Sequence, residues 1–145
     1  MNAIDALQEG RKHLDPVLRL YGFSFMEGPS GPSSGGPFAS GAYVSGDRKL
    51  EIHFRHSLGL VTYHMGTLSA DHESYMRALL GREGGNKFPD FSQDVLSQFG
   101  NLAYDLQHFC SAFLTGDEAE FRRCVEAAER QKKLSAFERL SQSES

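Results

Sequence analysis

Three of the six histidines in the chain fall within residues 50–66, LEIHFRHSLGLVTYHMG, beside an acidic residue. His53 and His64 lie on either side of a glycine-containing turn, and Glu51 precedes His53 by two positions. Imidazole and carboxylate groups that converge can bind a divalent metal ion or transfer protons. Whether these groups converge depends on the strands that carry them.

Apolar and polar residues alternate between residues 38 and 65, which predicts a three-stranded antiparallel meander. A two-residue turn at Leu58-Gly59 sets His53 opposite His64, with Phe54 facing Tyr63 and Arg55 facing Thr62. A three-residue loop at 46–48 sets Tyr43 opposite Glu51. This register gives one apolar face, which we expect to be buried against a helix of residues 92–114. Its members are Val44, Leu50, Ile52, Phe54, Tyr63 and Met65.

The same register gathers six side chains on the opposite, polar face of the meander. We interpret Glu51, His53 and His64 as candidate metal ligands. Tyr43, Arg55 and Thr62 are candidate binding residues, and Arg55 suits an anionic group. The competing interpretation is a solvated strand face of ordinary polar residues, because no ligand-spacing motif accompanies the histidines.

Helical periodicity flanks the meander on both sides. Residues 2–21 predict a helix, with a kink or break near Pro16. After the meander, Ser69 is the expected N-cap of a second helix. Residues 92–114 and 118–140 predict two long helices joined by a tight turn into an antiparallel hairpin.

This order predicts a single α+β domain over residues 1–145. It has an N-terminal helix, an antiparallel meander of three to four strands, and three helices, with the C-terminal hairpin packed on one sheet face. Residues 28–37, GPSGPSSGGP, predict a flexible loop, with a flap over a site as the sharper alternative. Residues 141–145 are expected to fray.

Composition narrows the class of protein. The chain is 39% hydrophobic and 23% charged, and its net charge of −4 argues against nucleic-acid binding. It contains no apolar run long enough to span a membrane and no N-terminal signal peptide pattern. Cys110 and Cys124 lack metal-type spacing, so we expect buried, reduced thiols and a cytoplasmic location. His72, in the first turn of its helix, is expected to be exposed.

In size, acidity and order of elements, the chain resembles small bacterial proteins that include some immunity proteins of toxin systems, although no motif carries this resemblance. We therefore expect a non-catalytic module, of immunity or regulatory type, that binds an unidentified protein partner through the polar sheet face or the 28–37 loop. No catalytic residue and no cofactor are assigned. The alternative is a small metal-binding protein or hydrolase-like enzyme that uses a divalent metal on the polar face. The sequence leaves a homodimer open.

Overall fold

The structure, a computed structural model, describes residues 2–32, 36–90 and 94–143, and of residue 135 and residues 137–143 it describes the backbone alone. The chain begins with helix α1 (Ala3–Arg19), whose first turn is capped by the side chain of Asn2. The helix continues through Pro16, so the predicted break is wrong. Leu14, Val17 and Leu18 are buried on both sides of the proline, and this packing holds the helix together although Pro16 donates no N–H.

Within the described residues, five strands form one antiparallel sheet in the order of the sequence. They are β1 (Ser24–Gly31), β2 (Phe38–Ser45), β3 (Arg48–Phe54), β4 (Leu58–Met65) and β5 (Leu68–Asp71). The α+β class and the antiparallel meander are confirmed, but the predicted count of three to four strands is too low. No strand was predicted at β5, which forms because a two-residue turn that begins at Gly66 (φ +61°) reverses the chain before the helix. Asp71, not Ser69, therefore caps that helix.

The predicted loop over residues 28–37 is wrong at its start. Gly28 to Gly31 belong to β1, and Ser30 pairs with Ala39 across an irregularity that follows Glu27. The Ser40 hydroxyl donates to the carbonyl oxygen of Pro29 at 2.6 Å, which fixes this segment against β2. Residues 33–35 of the predicted loop lie outside the described residues.

The four remaining helices follow the sheet in the part of the chain that the structure describes. They are α2 (His72–Leu80), α3 (Ser97–Phe109), α4 (Ser111–Leu114) and α5 (Glu118–Ser143), with a single 3-10 turn at Gly81–Glu83. The predicted helix of residues 92–114 is interrupted at Cys110, where the backbone turns to φ −102° and ψ 30°. Residues 92 and 93 lie outside the described residues. Helix α5 includes residues 141–143 of the predicted frayed tail, and residues 144–145 are likewise outside.

The interruption at Cys110 has a packing consequence. It redirects α4 so that Phe113, which is fully buried, contacts the rings of Phe23, Tyr63 and Phe121. The inner face of the sheet is closed by these rings and by Phe99 of α3, whose ring stacks on Phe54 with centroids 6.0 Å apart. The core therefore lies between the inner face of the sheet and the helices.

The register of the sheet explains why the predicted faces of β3 and β4 are correct although the predicted partners are not. Thr62 pairs with Glu51, four residues from its predicted partner Arg55, because the loop between β3 and β4 is formed by residues 55–57. A shift by an even number keeps every side chain on its predicted face, so Leu50, Ile52, Phe54, Tyr63 and Met65 are buried as expected.

The β2–β3 hairpin shows the opposite case. Its loop has two residues, Gly46 (φ +61°) and Asp47, so Tyr43 pairs with Leu50 and not with Glu51. This shift by one residue inverts β2. Tyr43 is buried in the core and Val44 lies on the opposite face, so both of these predictions are wrong.

Candidate functional site

The outer face of the sheet, which points away from the core, is built from rows of aligned residues. One row crosses all five strands and consists of Met26, Ala42, Glu51, Thr62 and Asp71. A second row consists of Ser24, Val44, Lys49, His64 and Ser69. These residues are exposed or half-buried, in contrast to the alternate residues on the inner face.

A groove of about 480 Å³, which we call the outer groove, runs over this face. Met26 lies at one side and Leu60 at the other, and their side chains are 60% and 64% exposed. Half-buried Val44 and Phe38 add further apolar surface between them. Large apolar side chains that converge on a concave surface mark a candidate binding site.

Phe38 gives one end of the outer groove a specific shape. The imidazole of His53 stacks on its ring, with centroids 5.3 Å apart and planes 12° apart. The guanidinium of Arg55 lies 6.0 Å from the same ring centroid. Arg55 and His53 are thus brought together by an aromatic ring, which the sequence pattern did not predict.

The polar groups that line the outer groove, or lie beside it, already have partners. Lys49 Nζ lies 3.6 Å from Glu51 Oε1, and His64 Nε2 contacts the same carboxylate oxygen without hydrogen-bond geometry. Thr62 is directly opposite Glu51. Glu51, Thr62 and His64 therefore share one face of the sheet, as predicted, but Thr62 faces Glu51 and not its predicted partner Arg55.

The pairing on which the candidate metal ligands rested is wrong. His64 faces Lys49, whereas His53 faces Ser40 and stacks on Phe38. Within residues 2–32, 36–90 and 94–143, no group of three or more His, Cys, Asp or Glu side chains is arranged to hold a metal ion. The geometry gives no support to a metal site on Glu51, His53 and His64.

Tyr43, a predicted binding residue, has a structural role on the inner face. Its hydroxyl donates to Asp15 of α1, whose carboxylate also contacts Arg11 at 3.4 Å and Arg19 at 3.5 Å. Burial, and then the Asp15 carboxylate, raise the pKa of the Tyr43 hydroxyl. Tyr43 thus ties β2 to α1 and is unavailable to a ligand on the outer face.

The inner face contains a polar arrangement that sequence reasoning missed, which we call the buried polar chain. The Tyr63 hydroxyl lies 2.7 Å from His72 Nδ1, and His72 Nε2 lies 2.9 Å from Asp105 Oδ2. The carboxylate of Asp105 also accepts the backbone N–H groups of Lys87 at 2.7 Å and Phe88 at 2.9 Å. His72 is 2% exposed and Asp105 is fully buried, so the prediction of an exposed His72 is wrong.

The hydrogen bonds of the buried polar chain determine whether any of its groups is available for catalysis. Because a carboxylate accepts, His72 Nε2 donates to Asp105, and His72 Nδ1 shares a hydrogen bond with the Tyr63 hydroxyl. The Cys110 thiol in turn donates to the Tyr63 oxygen at 3.6 Å. Burial raises the pKa of Tyr63, and it raises the pKa of Cys110 to about 12, so neither group is an activated nucleophile. The buried polar chain instead has a structural role, because it connects β4, α2, α3 and the segment of residues 87–88.

A signal for this chain is present in the sequence. Asp105 lies three residues after Leu102 and four before Phe109, on the apolar stripe of α3. A carboxylate on an apolar stripe requires buried donors, which would have pointed to a buried histidine.

A second groove, of about 330 Å³, lies beside the buried polar chain at the side of β4. We call it the edge groove. It is lined by Gly59, Leu60, Val61, Asp71, His72, Glu73, Phe88 and Pro89. Leu60 also lines the outer groove, so the two grooves meet at this side chain.

Comparison of the chain with known protein families, curated proteins and solved structures gives no match. Among the described helices, none has the length and apolar character needed to cross a membrane. The candidate site therefore has to be interpreted from its own geometry.

Proposed function

We propose that this protein is a non-catalytic binding module that recognises a protein partner through the outer groove. The observation that carries the proposal is the pair Met26 and Leu60, 60% and 64% exposed on the two sides of one concave surface. A partner that inserts an apolar segment between them would remove both side chains from water. Burial of a large aliphatic side chain contributes roughly 1.5–3 kcal/mol.

The charges of the outer groove favour a protein partner with an apolar segment over a small charged ligand. Glu51 lies between Lys49 and His64, so covering this centre does not isolate a single unpaired carboxylate. Buried charges are tolerated when they are paired, and a partner can cover such a pair with its own apolar surface. Arg55, beside Phe38, lies near the end of the groove and would remain at the rim.

The alternative of a metal-dependent or hydrolase-like enzyme has less support. It required His53 and His64 to face each other, and the register separates them. The Asp105–His72 pair resembles acid–base machinery in composition, but both imidazole nitrogens are engaged within the core.

The test is selection of peptides from a random display library against the wild-type protein, followed by affinity measurements on variants. We expect Met26→Glu and Leu60→Glu each to weaken the selected peptides by at least about tenfold, which corresponds to about 1.4 kcal/mol. Leu20→Glu and Leu134→Glu are matched controls, because Leu20, which follows α1 directly, and Leu134, on α5, are 79% and 63% exposed. We expect the controls to bind as the wild type does.

Two outcomes would overturn the proposal. One is that the selected peptides bind Met26→Glu and Leu60→Glu as tightly as the wild type but bind Leu20→Glu or Leu134→Glu more weakly. The other is a wild-type protein that light scattering shows to be a dimer and that becomes a monomer in Met26→Glu, because the outer groove would then bind a second copy of this chain.

The two thiols support a cytoplasmic location within the same proposal. Cys110 and Cys124 are both free, and free thiols are typical of reducing compartments.

A further inference from the structure

Strand β4 pairs with β3 from Met65 to Leu58, with an irregularity between Val61 and Leu58, and it pairs with β5 along only half of its length. Toward β5, pairing runs from Met65 to Thr62, where β5 ends at Asp71. Toward β3, pairing continues to Leu58. Among the described residues, the segment from Leu58 to Val61 therefore has no strand partner on its β5 side.

The edge groove lies along this half of β4. Val61, His72 and Phe88 are 2–3% exposed and form a closed apolar and aromatic floor, whereas Gly59 and Leu60 are exposed above it. Main-chain groups at a strand edge are a template for an added strand, and side-chain pockets beside them give specificity.

The outer edge of β1 and the open edge of β4 at Leu58–Val61 differ in how they are protected. Both segments pair irregularly with their inner neighbour, after Glu27 in β1 and between Val61 and Leu58 in β4. Strand β1 also carries Pro29, which lacks an N–H and hinders the addition of another strand. The Leu58–Val61 segment reads LGLV, with no proline and no charge. An unprotected edge of this kind in a folded protein indicates a docking position.

The buried polar chain keeps the edge groove in one shape. His72 is held from both sides, by Tyr63 at 2.7 Å and by Asp105 at 2.9 Å, and Asp105 also fixes the backbone N–H of Phe88. The floor is thus preorganised, which lowers the entropy lost when a partner binds.

The rim of the edge groove is acidic. Asp71 is engaged by the backbone N–H of Ser74 and lies 3.5 Å from Lys132 Nζ. Glu73, two residues after the Asp71 cap, is exposed to solvent. An exposed carboxylate at this place suits a basic side chain of the partner.

We infer that the partner presents an extended segment that adds a short strand to β4 at Leu58–Val61, with a basic side chain directed toward Glu73. The inference rests on the proposed binding function and names what the partner contributes to it. Since the grooves meet at Leu60, a segment docked on this edge can continue into the outer groove.

The test uses a defined probe, acetyl-Thr-Val-Lys-Val-Thr-amide, titrated into the ¹⁵N-labelled full chain. We expect amide shift changes centred on Gly59, Leu60, Val61 and Glu73. Two N-methylated versions of the probe, each blocking alternate backbone amides, should differ, because only every second residue of a strand bonds to one neighbour. One version should lose about tenfold in affinity and the other should bind almost normally.

Charge variants complete the test. Replacing Lys by Glu in the probe, or Glu73→Lys in the protein, should weaken binding about fivefold. Glu118→Lys is the matched control, since Glu118 is an exposed glutamate in the first turn of α5, and it should change nothing. The inference is overturned if the probe does not bind at millimolar concentration, if both N-methylated probes bind equally, or if the shifts centre on β1.

A Met26→Glu variant separates this inference from the proposed function. It alters the outer groove and leaves the edge groove intact, so the probe should bind it as tightly as the wild type. Loss of probe binding in Met26→Glu would place the probe in the outer groove, which supports the proposed function and refutes the added strand.

Discussion

The two faces of the sheet are made from alternate residues of the same strands, but their polar side chains differ in burial and in hydrogen bonding. On the inner face, Tyr63 joins His72 and Asp105 in a hydrogen-bonded chain that is at most 2% exposed. On the outer face, Lys49 and Glu51 keep 44% and 49% of their side chains exposed, and their contact is 3.6 Å long.

This difference decides which contacts the fold requires. A buried donor or acceptor without a partner costs about 1–3 kcal/mol, so each bond of the buried polar chain is needed once the chain is enclosed. An exposed ion pair contributes roughly 0–1 kcal/mol because water can replace either partner. The inner face therefore specifies the fold, and the outer face is free to exchange water for a partner.

The largest expected difference in stability between the two faces comes from replacing an aromatic residue on each. Phe54→Ala should lower the free energy of unfolding by about 3–5 kcal/mol, because Phe54 is 4% exposed and stacks on Phe99. Phe38→Ala, on the outer face, should lower it by less than about 1 kcal/mol. Urea denaturation of both variants measures the contrast, and similar losses would mean that the faces are not distinct.

A smaller difference is expected for the two carboxylates. Asp105→Asn preserves shape, but the amide nitrogen cannot accept, and three donors converge on the two carboxylate oxygens. At least one N–H, that of Lys87 or those of His72 and Phe88, loses its acceptor inside or at the edge of the core, so the loss should be about 1–3 kcal/mol. Glu51→Gln is the outer-face control and should stay within roughly 0.5 kcal/mol of the wild type. A control variant as unstable as Asp105→Asn would contradict the comparison.

The sequence predicts the faces of β3 and β4 well because burial enforces alternation. The strands could slip by four residues, from Arg55–Thr62 to Glu51–Thr62, without moving Phe54 or Tyr63 off the inner face. Periodicity therefore reports which face a residue occupies and leaves its cross-strand partner open. The candidate site depended on partners, and for this reason the His53–His64 pairing failed.

Turn chemistry explains the other errors. Gly46 adopts a positive φ and closes a two-residue turn, and Gly66 does the same before β5. The loop between β2 and β3 is one residue shorter than predicted, and this reverses the faces of β2. Tyr43, and not Val44, therefore points into the core. The position of Asp105 on an apolar stripe indicates a buried carboxylate, but local patterns do not identify its partners, because Tyr63, His72 and Asp105 meet only through tertiary packing.

Asp71 lies where the two faces meet, since it ends the outer row of the sheet and caps α2 on the core side. Partial burial acts to raise the pKa of its carboxyl, but the hydrogen bonding of Ser74 and the ammonium of Lys132 outweigh burial, and the pKa falls below its ordinary value of 3.8. A carboxyl whose pKa is lower in the folded state stabilises the fold above its unfolded pKa. That contribution is lost as the pH falls through the folded pKa.

The smallest expected effect tests this boundary position with Asp71→Asn. Asparagine caps a helix about as well as aspartate, so the variant removes the charge and keeps the cap. Because Asp71 is 37% exposed, the wild type should exceed the variant by no more than about 0.3–1 kcal/mol at pH 7. Urea denaturation at pH values from 7 downward should show this advantage shrink as the pH falls below 3.8 and through the lowered pKa of Asp71. At pH 7, Lys132→Gln should lower the free energy of unfolding when Asp71 is present. In the Asp71→Asn background, the same substitution should have no effect. An advantage that stays constant with pH, or a Lys132→Gln effect of equal size in both backgrounds, would show that Asp71 behaves as an outer-face residue whose charge the fold does not use.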